Sequence, residues 1–364
     1  MSADIQSRDG LFELFQRRLV DTQHDLEAEQ SLEYDRKMLK TYIIESNILP
    51  GQFIQSSEII NNSRSIDEEL FELEIQTSDD LKTFYLDSND RRFWSLYTLV
   101  GSQVARQTFD KITSKNGNGL DRPWIPNDTQ KTFLNYGEFK GAGLNQYGTE
   151  AFPRNFVDVG DFRLELEGDD AERFYTEFDQ HSNIQKILSL SRIKIRTVDE
   201  HHYITQRITN EGAFTARGGT DIDLHLKTVK KVKNAYRELI DSIESNHLVN
   251  YHQENDGVSV EGEHIRIDIN NTIGDIAEFL TYLVNAQKPF RLMGPTTKID
   301  DDYYKVRAVD LHNGDKVTLE IGSNWIRIYL YEGACGNTAL RIFSNIQHYY
   351  DPSSVMHIEG VENV

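Results

Sequence analysis

Residues 212–240 read GAFTARGGTDIDLHLKTVKKVKNAYRELI, and the second half of this stretch decides the fold class. Ile222, Leu226, Val229, Val232, Tyr236, Ile240 and Ile243 recur at steps of three or four. That is one apolar stripe of a long helix. Gly218-Gly219 marks a turn before it, Thr220 stands as N-cap, and Asp223 as the N3 acid of a capping box. A short extended piece, Phe214 to Arg217, precedes the turn. The segment therefore predicts a strand running into a helix.

Working outward, the same grammar repeats. Upstream, Phe162–Leu166 alternates as a strand, Asp169–Leu188 has helical spacing, and Arg192–Val198 and Tyr203–Thr209 read as strands. Downstream, Ile265–Ile269 is a strand. Thr272–Gln287 is a helix with Thr272 and Asp275 as a capping box. Lys305–Leu311 and Val317–Ile321 form a hairpin around Asn313-Gly314. Trp325–Tyr331 is a strand, and Thr338–Tyr350 a helix. Two blocks thus share the order strand, helix, strands, helix, and they resemble the two halves of a TATA-binding-type fold.

Toward the N-terminus, residues 9–47 read as one long amphipathic helix through Leu11, Phe15, Leu19, Leu26, Met38, Tyr42 and Ile43, stopped by Pro50-Gly51. Residues 61–69 are polar and read as a linker. Alternation over Phe71–Ile75 and Lys82–Asp87, then Arg92–Thr98, gives three strands before a helix over 101–115. A short helix near Asn127–Asn135 and a glycine-rich extended stretch, 137–148, complete this part. The expectation is an α+β protein with mixed and antiparallel sheets and packed helices, with two related β-α-β-β-β-α units after an N-terminal helix and a mixed domain. The borders are placed at 1–60, 61–155, 156–255 and 256–364.

The 212–224 segment also resembles the signature of nucleotidyltransferases. That resemblance implies a glycine turn that holds a triphosphate, an Asp-x-Asp pair at Asp221 and Asp223, and a third carboxylate at Asp268. Oxygen ligands of this kind suit Mg²⁺. The pattern departs at Ala213, where the signature has Ser, and Arg207–Glu211 is not the apolar strand that should deliver the turn. On a helix, side chains at i and i+2 point about 200° apart and do not share a metal. The helix start accounts for both acids through capping and the helix dipole. The metal-dependent enzyme stands as the alternative reading.

Composition narrows the rest. The 364 residues have a formal net charge of −20 and 38% hydrophobic residues, enough apolar mass for ordinary cores. An acidic chain does not hold nucleic acid or anionic membranes through its bulk charge. The acidic surface suits a salt-rich cytoplasm, where screening is short-ranged. A single cysteine, Cys335, allows no internal disulfide. No secretory pattern opens the chain, and no apolar run reaches membrane-spanning length, so a cytoplasmic protein without a membrane partner is expected. The histidines show no metal-ligand spacing and read as satisfied or exposed. Cys335 reads as a small packed residue.

Charge is unevenly spread. Residues 186–237 hold eleven Lys and Arg against five Asp and Glu. Arg192, Lys194 and Arg196 alternate with Ser191, Ile193 and Ile195, so three cations share one strand face. Lys227, Lys230 and Lys231 flank the helical stripe. If face and flank converge they form a basic patch for nucleic acid or an acidic protein partner; otherwise the segment balances charge inside the molecule.

Three further runs carry a family resemblance. Arg92–Leu99 (RFWSLYTL), Leu120–Pro126 (LDRPWIP) and Gly137–Gly141 (GEFKG) resemble haloarchaeal proteins to which no activity is attached. The resemblance covers about 90–250 and names no site residues. The functional expectation is a non-enzymatic binding or regulatory protein without a cofactor.

Overall fold

In the computed structural model, residues 5–27, 38–78, 80–146, 151–152, 161–168, 170–181, 186–254 and 257–360 are described. The elements, in chain order, begin with α1 (Arg8–Glu27), β1 (Lys40–Ser46), α2 (Pro50–Ser56), β2 (Ile60–Ser65), β3 (Leu70–Gln76), β4 (Leu81–Asp87), β5 (Phe93–Thr98), α3 (Ser102–Thr113) and β6 (Leu120–Asp121). Next come α4 (Asn127–Thr132), β7 (Glu138–Gln146), β8 (Phe162–Glu167), α5 (Ala171–Gln180), β9 (Ser189–Asp199), β10 (His202–Thr209), β11 (Ala213–Gly219) and α6 (Ile222–Asn246). The last part holds β12 (Leu248–Glu254), β13 (Gly257–Glu261), β14 (Ile265–Asp268), α7 (Ile276–Leu283), β15 (Leu292–Met293), β16 (Thr296–Asp300), β17 (Tyr303–Asp310), β18 (Lys316–Gly322), β19 (Trp325–Tyr331), α8 (Asn337–Tyr349) and β20 (Val355–His357). The fold is α+β, as the residue periodicities predict.

Two compact units interleave along the sequence. Unit 1 takes Met1–Pro123, Phe133–Lys140 and Ile193–Lys233; unit 2 takes Trp124–Thr132, Gly141–Arg192 and Asn234–Val364.

Unit 1 is built on strands in the order β2-β3-β4-β5-β1-β11-β10-β9. Along this order from β2 to β10, neighbouring strands pair antiparallel. Its sheet is apolar on both faces. On one face Tyr42, Ile44, Leu73, Phe84, Trp94 and Leu96 pack with Phe109 of α3 and Phe53 of α2. On the other, Tyr85, Tyr97, Ile204 and Ala216 pack with Leu11 and Phe15 of α1 and Leu224 of α6. Each such fully buried large side chain contributes about 1.5–3 kcal/mol relative to exposure.

This two-faced burial explains the main departure from the sequence reading. Tyr42 and Ile43 lie on a strand, and α1 ends at Glu27. Every residue of β1 is buried. A central strand covered on both faces shows no alternation, so periodicity cannot separate it from a helix. Residues 28–37 lie outside the described part. The polar stretch 61–69 is a strand too, over Ile60–Ser65, and not a linker. It pairs with β3 at the sheet edge with most side chains exposed, so it needs no apolar pattern.

Unit 2 carries a sheet in the order β13-β12-β19-β18-β17-β15, with β14 on β19 and β20, and β16 on β17. The β12–β19 pairing is parallel. A ribbon of β8 on Gly141–Gln146 belongs to the same unit. Helix α7 starts three residues later than the capping pattern suggests, because Asp275 is itself the N-cap and accepts from the Glu278 N–H at 2.9 Å. The Asp169–Leu188 helix is shorter than expected, covering Ala171–Gln180; residues 169 and 182–185 lie outside the described part. Both blocks run strand, helix, strands, helix, but three strands separate the helices in the first and five in the second, so the two β-α-β-β-β-α units expected from sequence are not equivalent, and their pairing differs too. The leading strand β14 pairs with the last strand β19, whereas β8 pairs with β7.

Helix α8 is buried from Asn337 to Gln347, polar residues included. At its centre Arg341, fully buried, forms an ion pair with the equally buried Asp310 at the end of β17. Arg341 Nε also donates to the Phe290 carbonyl at 3.1 Å. Asp310 accepts from Thr338 Oγ1 and from the His312 N–H. Burial alone would raise the Asp310 carboxyl; the Arg341 charge and these hydrogen bonds outweigh it and hold the pKa at about 2.

Candidate functional site

The alternation expected for β9 is present. Ile193 and Ile195 are fully buried, while Lys194 and Arg196, which alternate with them, are half-buried. The strand face of Lys194 and Arg196 therefore points away from the apolar layer. On β10 and β11 the same alternation buries Ile204, Gln206, Phe214 and Ala216, and leaves Tyr203, Arg207, Thr215 and Arg217 half-buried. Register places Arg207 directly across from Thr215. Four cations of unit 1, Lys194, Arg196, Arg207 and Arg217, thus lie on the outer-facing positions of three adjacent strands.

Arg196 shapes the centre of this face. Its guanidinium carbon sits 4.0 Å from the centroid of the Tyr203 ring, within cation–π range. Its Nε is buried without a hydrogen-bond partner. Arg196 is thus held over an aromatic plane. Its charge reaches Glu138. The hydrogen bond from Lys140 (2.6 Å), and then the charges of Lys140 and Arg196, lower the Glu138 carboxyl pKa against a small opposing desolvation. Glu211, in the β10–β11 turn, is engaged by Arg122 at 3.0 Å and by Arg106.

The helix lysines do not join this face. His225 of α6 hydrogen-bonds Gln206 at 2.8 Å and Thr41 at 2.7 Å, and Ile222 and Leu224 pack with Ile204 and Ala216. Helix α6 therefore covers the opposite side of the sheet. Lys227 and Lys230 are exposed there; Lys227 lies 3.8 Å from Asp199, and the Lys231 ammonium lies 5.3 Å from the Tyr136 ring. Arg192 belongs to unit 2 and is paired with Glu165. Of the six patch residues read from sequence, Lys194 and Arg196 share the face with Arg207 and Arg217, which the sequence reading did not single out. Strand alternation in β10 and β11 was the signal that could have found them.

The carboxylates fall differently from the nucleotidyltransferase pattern. Gly219 ends a strand, and a Cβ there would meet the Tyr203 carbonyl at 2.4 Å. The double glycine thus permits close strand pairing. Asp221 precedes α6 and its carboxylate accepts from the Asp223 N–H at 2.8 Å, while Asp223 lies in the first helical turn. The N-cap is thus Asp221 and not Thr220, whose Oγ1 accepts from the Tyr203 N–H at 3.0 Å. Asp268 belongs to unit 2, where Arg266 donates to it at 2.7 Å and His357 lies 2.8 Å away. Burial would raise its pKa; the His357 and Arg266 hydrogen bonds prevail and lower it.

Comparison with known proteins places the molecule. A family model, the MJECL33-like protein, matches residues 1–363. The chain belongs to the MJECL33-like family. A relative in Methanocaldococcus jannaschii, the uncharacterized protein MJECL33, is 27% identical over 396 residues, covering 98% of this chain and 95% of its own length. This relative comes from a methanogenic archaeon, so the comparison supports an archaeal family without the haloarchaeal restriction of the resemblance. No solved structure matches. Among the described residues, no helix of this family member is long and apolar enough to cross a membrane.

Proposed function

We propose that this MJECL33-like protein is a binding protein that holds single-stranded nucleic acid against the β9–β11 face of unit 1. The observation that carries the reading is Arg196 stacked over Tyr203 on a face shared with Lys194, Arg207 and Arg217. Alternate residues of a strand stand about 6.6 Å apart, so the cations form a row that can follow a phosphate backbone. Tyrosine rings and guanidinium planes are surfaces on which unpaired bases stack. The acidic body, at −20, repels nucleic acid at long range. At physiological ionic strength the Debye length is about 8 Å, so distant acids are screened while direct contacts persist. A salt-rich cytoplasm, proposed here from the acidic composition, would screen them further.

Reversing Lys194 and Arg196 together to Glu should weaken binding of a labelled single-stranded oligonucleotide by at least about tenfold, measured by fluorescence anisotropy. Reversing Lys227 and Lys230 on the far side of the sheet should change it by less than about twofold. Equal losses in both pairs would mean that overall charge, not this face, controls binding. Binding of polyglutamate in place of the oligonucleotide would assign the face to an acidic protein partner and overturn the reading.

A further inference from the structure

Unit 2 contains a partly open cavity of about 240 Å³ that the nucleic-acid reading does not use. This is below the roughly 300–1,000 Å³ of sites for drug-sized ligands, so its occupant is compact. Its apolar lining includes Leu144, Phe178, Leu190 and Val355. Its polar lining includes Lys131, which bridges Asp128 at 3.1 Å and Asp179 at 2.9 Å. Two carboxylates against one ammonium leave a net negative charge. The Tyr175 hydroxyl adds none, since burial and then the charges of Asp179 and Asp128 raise its pKa.

A second, independent feature points to a ligand. Ser354 lines the cavity, is 2% exposed, and its Oγ has no hydrogen-bond partner. A buried hydroxyl without a partner costs stability unless something in the cavity satisfies it. The surrounding frame is fixed. Asn127 donates to the Pro352 carbonyl at 3.2 Å and accepts from Ser189 at 2.8 Å, and Gln347 donates to the Ser354 carbonyl at 3.1 Å.

We propose that this cavity binds a short aliphatic diamine. One ammonium would meet the carboxylates of Asp128 and Asp179, the methylenes the apolar lining, and the second amine the Ser354 Oγ. Anions are disfavoured by the net charge. A neutral diol of the same length satisfies Ser354 but gains nothing from the carboxylates.

Isothermal titration of the full chain with 1,4-diaminobutane, 1,4-butanediol and succinate tests this. The diamine should bind saturably and at least about tenfold more tightly than the diol, with no binding of succinate. Asp179→Asn should weaken diamine binding about tenfold and leave diol binding unchanged. Ser354→Ala should weaken both by about fivefold. Equal affinity for diamine and diol, preference for succinate, or no saturable diamine binding into the millimolar range would overturn the proposal. The three-ligand comparison on the unaltered protein decides it even if a variant fails to fold.

Discussion

Arg341→Met should destabilise unit 2 by about 3–5 kcal/mol, the cost of leaving a buried carboxylate without its partner. Asp310 and Arg341 both have fully buried side chains. Their charges are worth little as a net gain over an apolar pair, because desolvation offsets the attraction. Removing one partner is different. Asp310 would keep Thr338 and the His312 N–H as donors but lose the guanidinium whose charge offsets its burial. Methionine fills a similar volume, so the loss reports charge more than cavity formation. Urea unfolding followed through Trp124 and Trp325, both in unit 2, measures it. Adding Asp310→Asn to Arg341→Met should recover part of the loss. A single-variant effect below about 1 kcal/mol would show that the pair is solvated and contradict the buried network.

The second large effect is a loss of unit 1 stability in mild acid, caused by His225. This histidine is fully buried, and burial pushes its pKa down to about 4. In the unfolded chain it would titrate near 6.5. The folded state therefore favours the neutral ring, and the unfolded state takes up the proton first as pH falls. The contribution is fully present above about 6.5 and is lost as pH falls toward 4. Its full size is about 3 kcal/mol, of which about 2 kcal/mol is gone between pH 7 and pH 5. Trp94, buried in unit 1, provides the fluorescence signal for denaturant titrations at both values. His225→Gln should be less stable at pH 7, where Thr41 and Gln206 lose part of their fit. It should lose at least 1 kcal/mol less than the unaltered chain on going to pH 5. An identical pH response in both chains would mean that the imidazole is not buried neutral between β1, β10 and α6.

These two groups show where sequence reading reaches and where it stops. The stripe from Ile222 to Ile243 is legible because α6 buries one side only; Leu226 alone of its members is half-buried. The hairpin β17–β18 is legible from its Asn313-Gly314 turn. Strand β1 is not, since burial on both faces erases the alternation that marks a strand. Edge strand β2 is not, since exposure on both faces does the same in the opposite sense. The candidate face divides in the same way. Alternation placed Lys194 and Arg196 together. Which side of the sheet α6 covers, and that Tyr203 lies beneath Arg196, depend on strand pairing and helix packing between residues distant in sequence. His225 offered no spacing signal; only its contacts with Thr41 and Gln206 distinguish it from an exposed histidine.

The nucleic-acid reading stands on local charge against an acidic body, and salt separates the two contributions. The most direct measurement is the affinity for a labelled single-stranded oligonucleotide between about 0.1 and 0.5 M salt, where the body is already screened. Contacts from Lys194, Arg196, Arg207 and Arg217 predict a slope of log affinity against log salt between about −2 and −3. The Lys194→Glu/Arg196→Glu chain should show a shallower slope by more than one unit. A flat response, or a slope unchanged by the double reversal, would contradict the claim that this face holds phosphate.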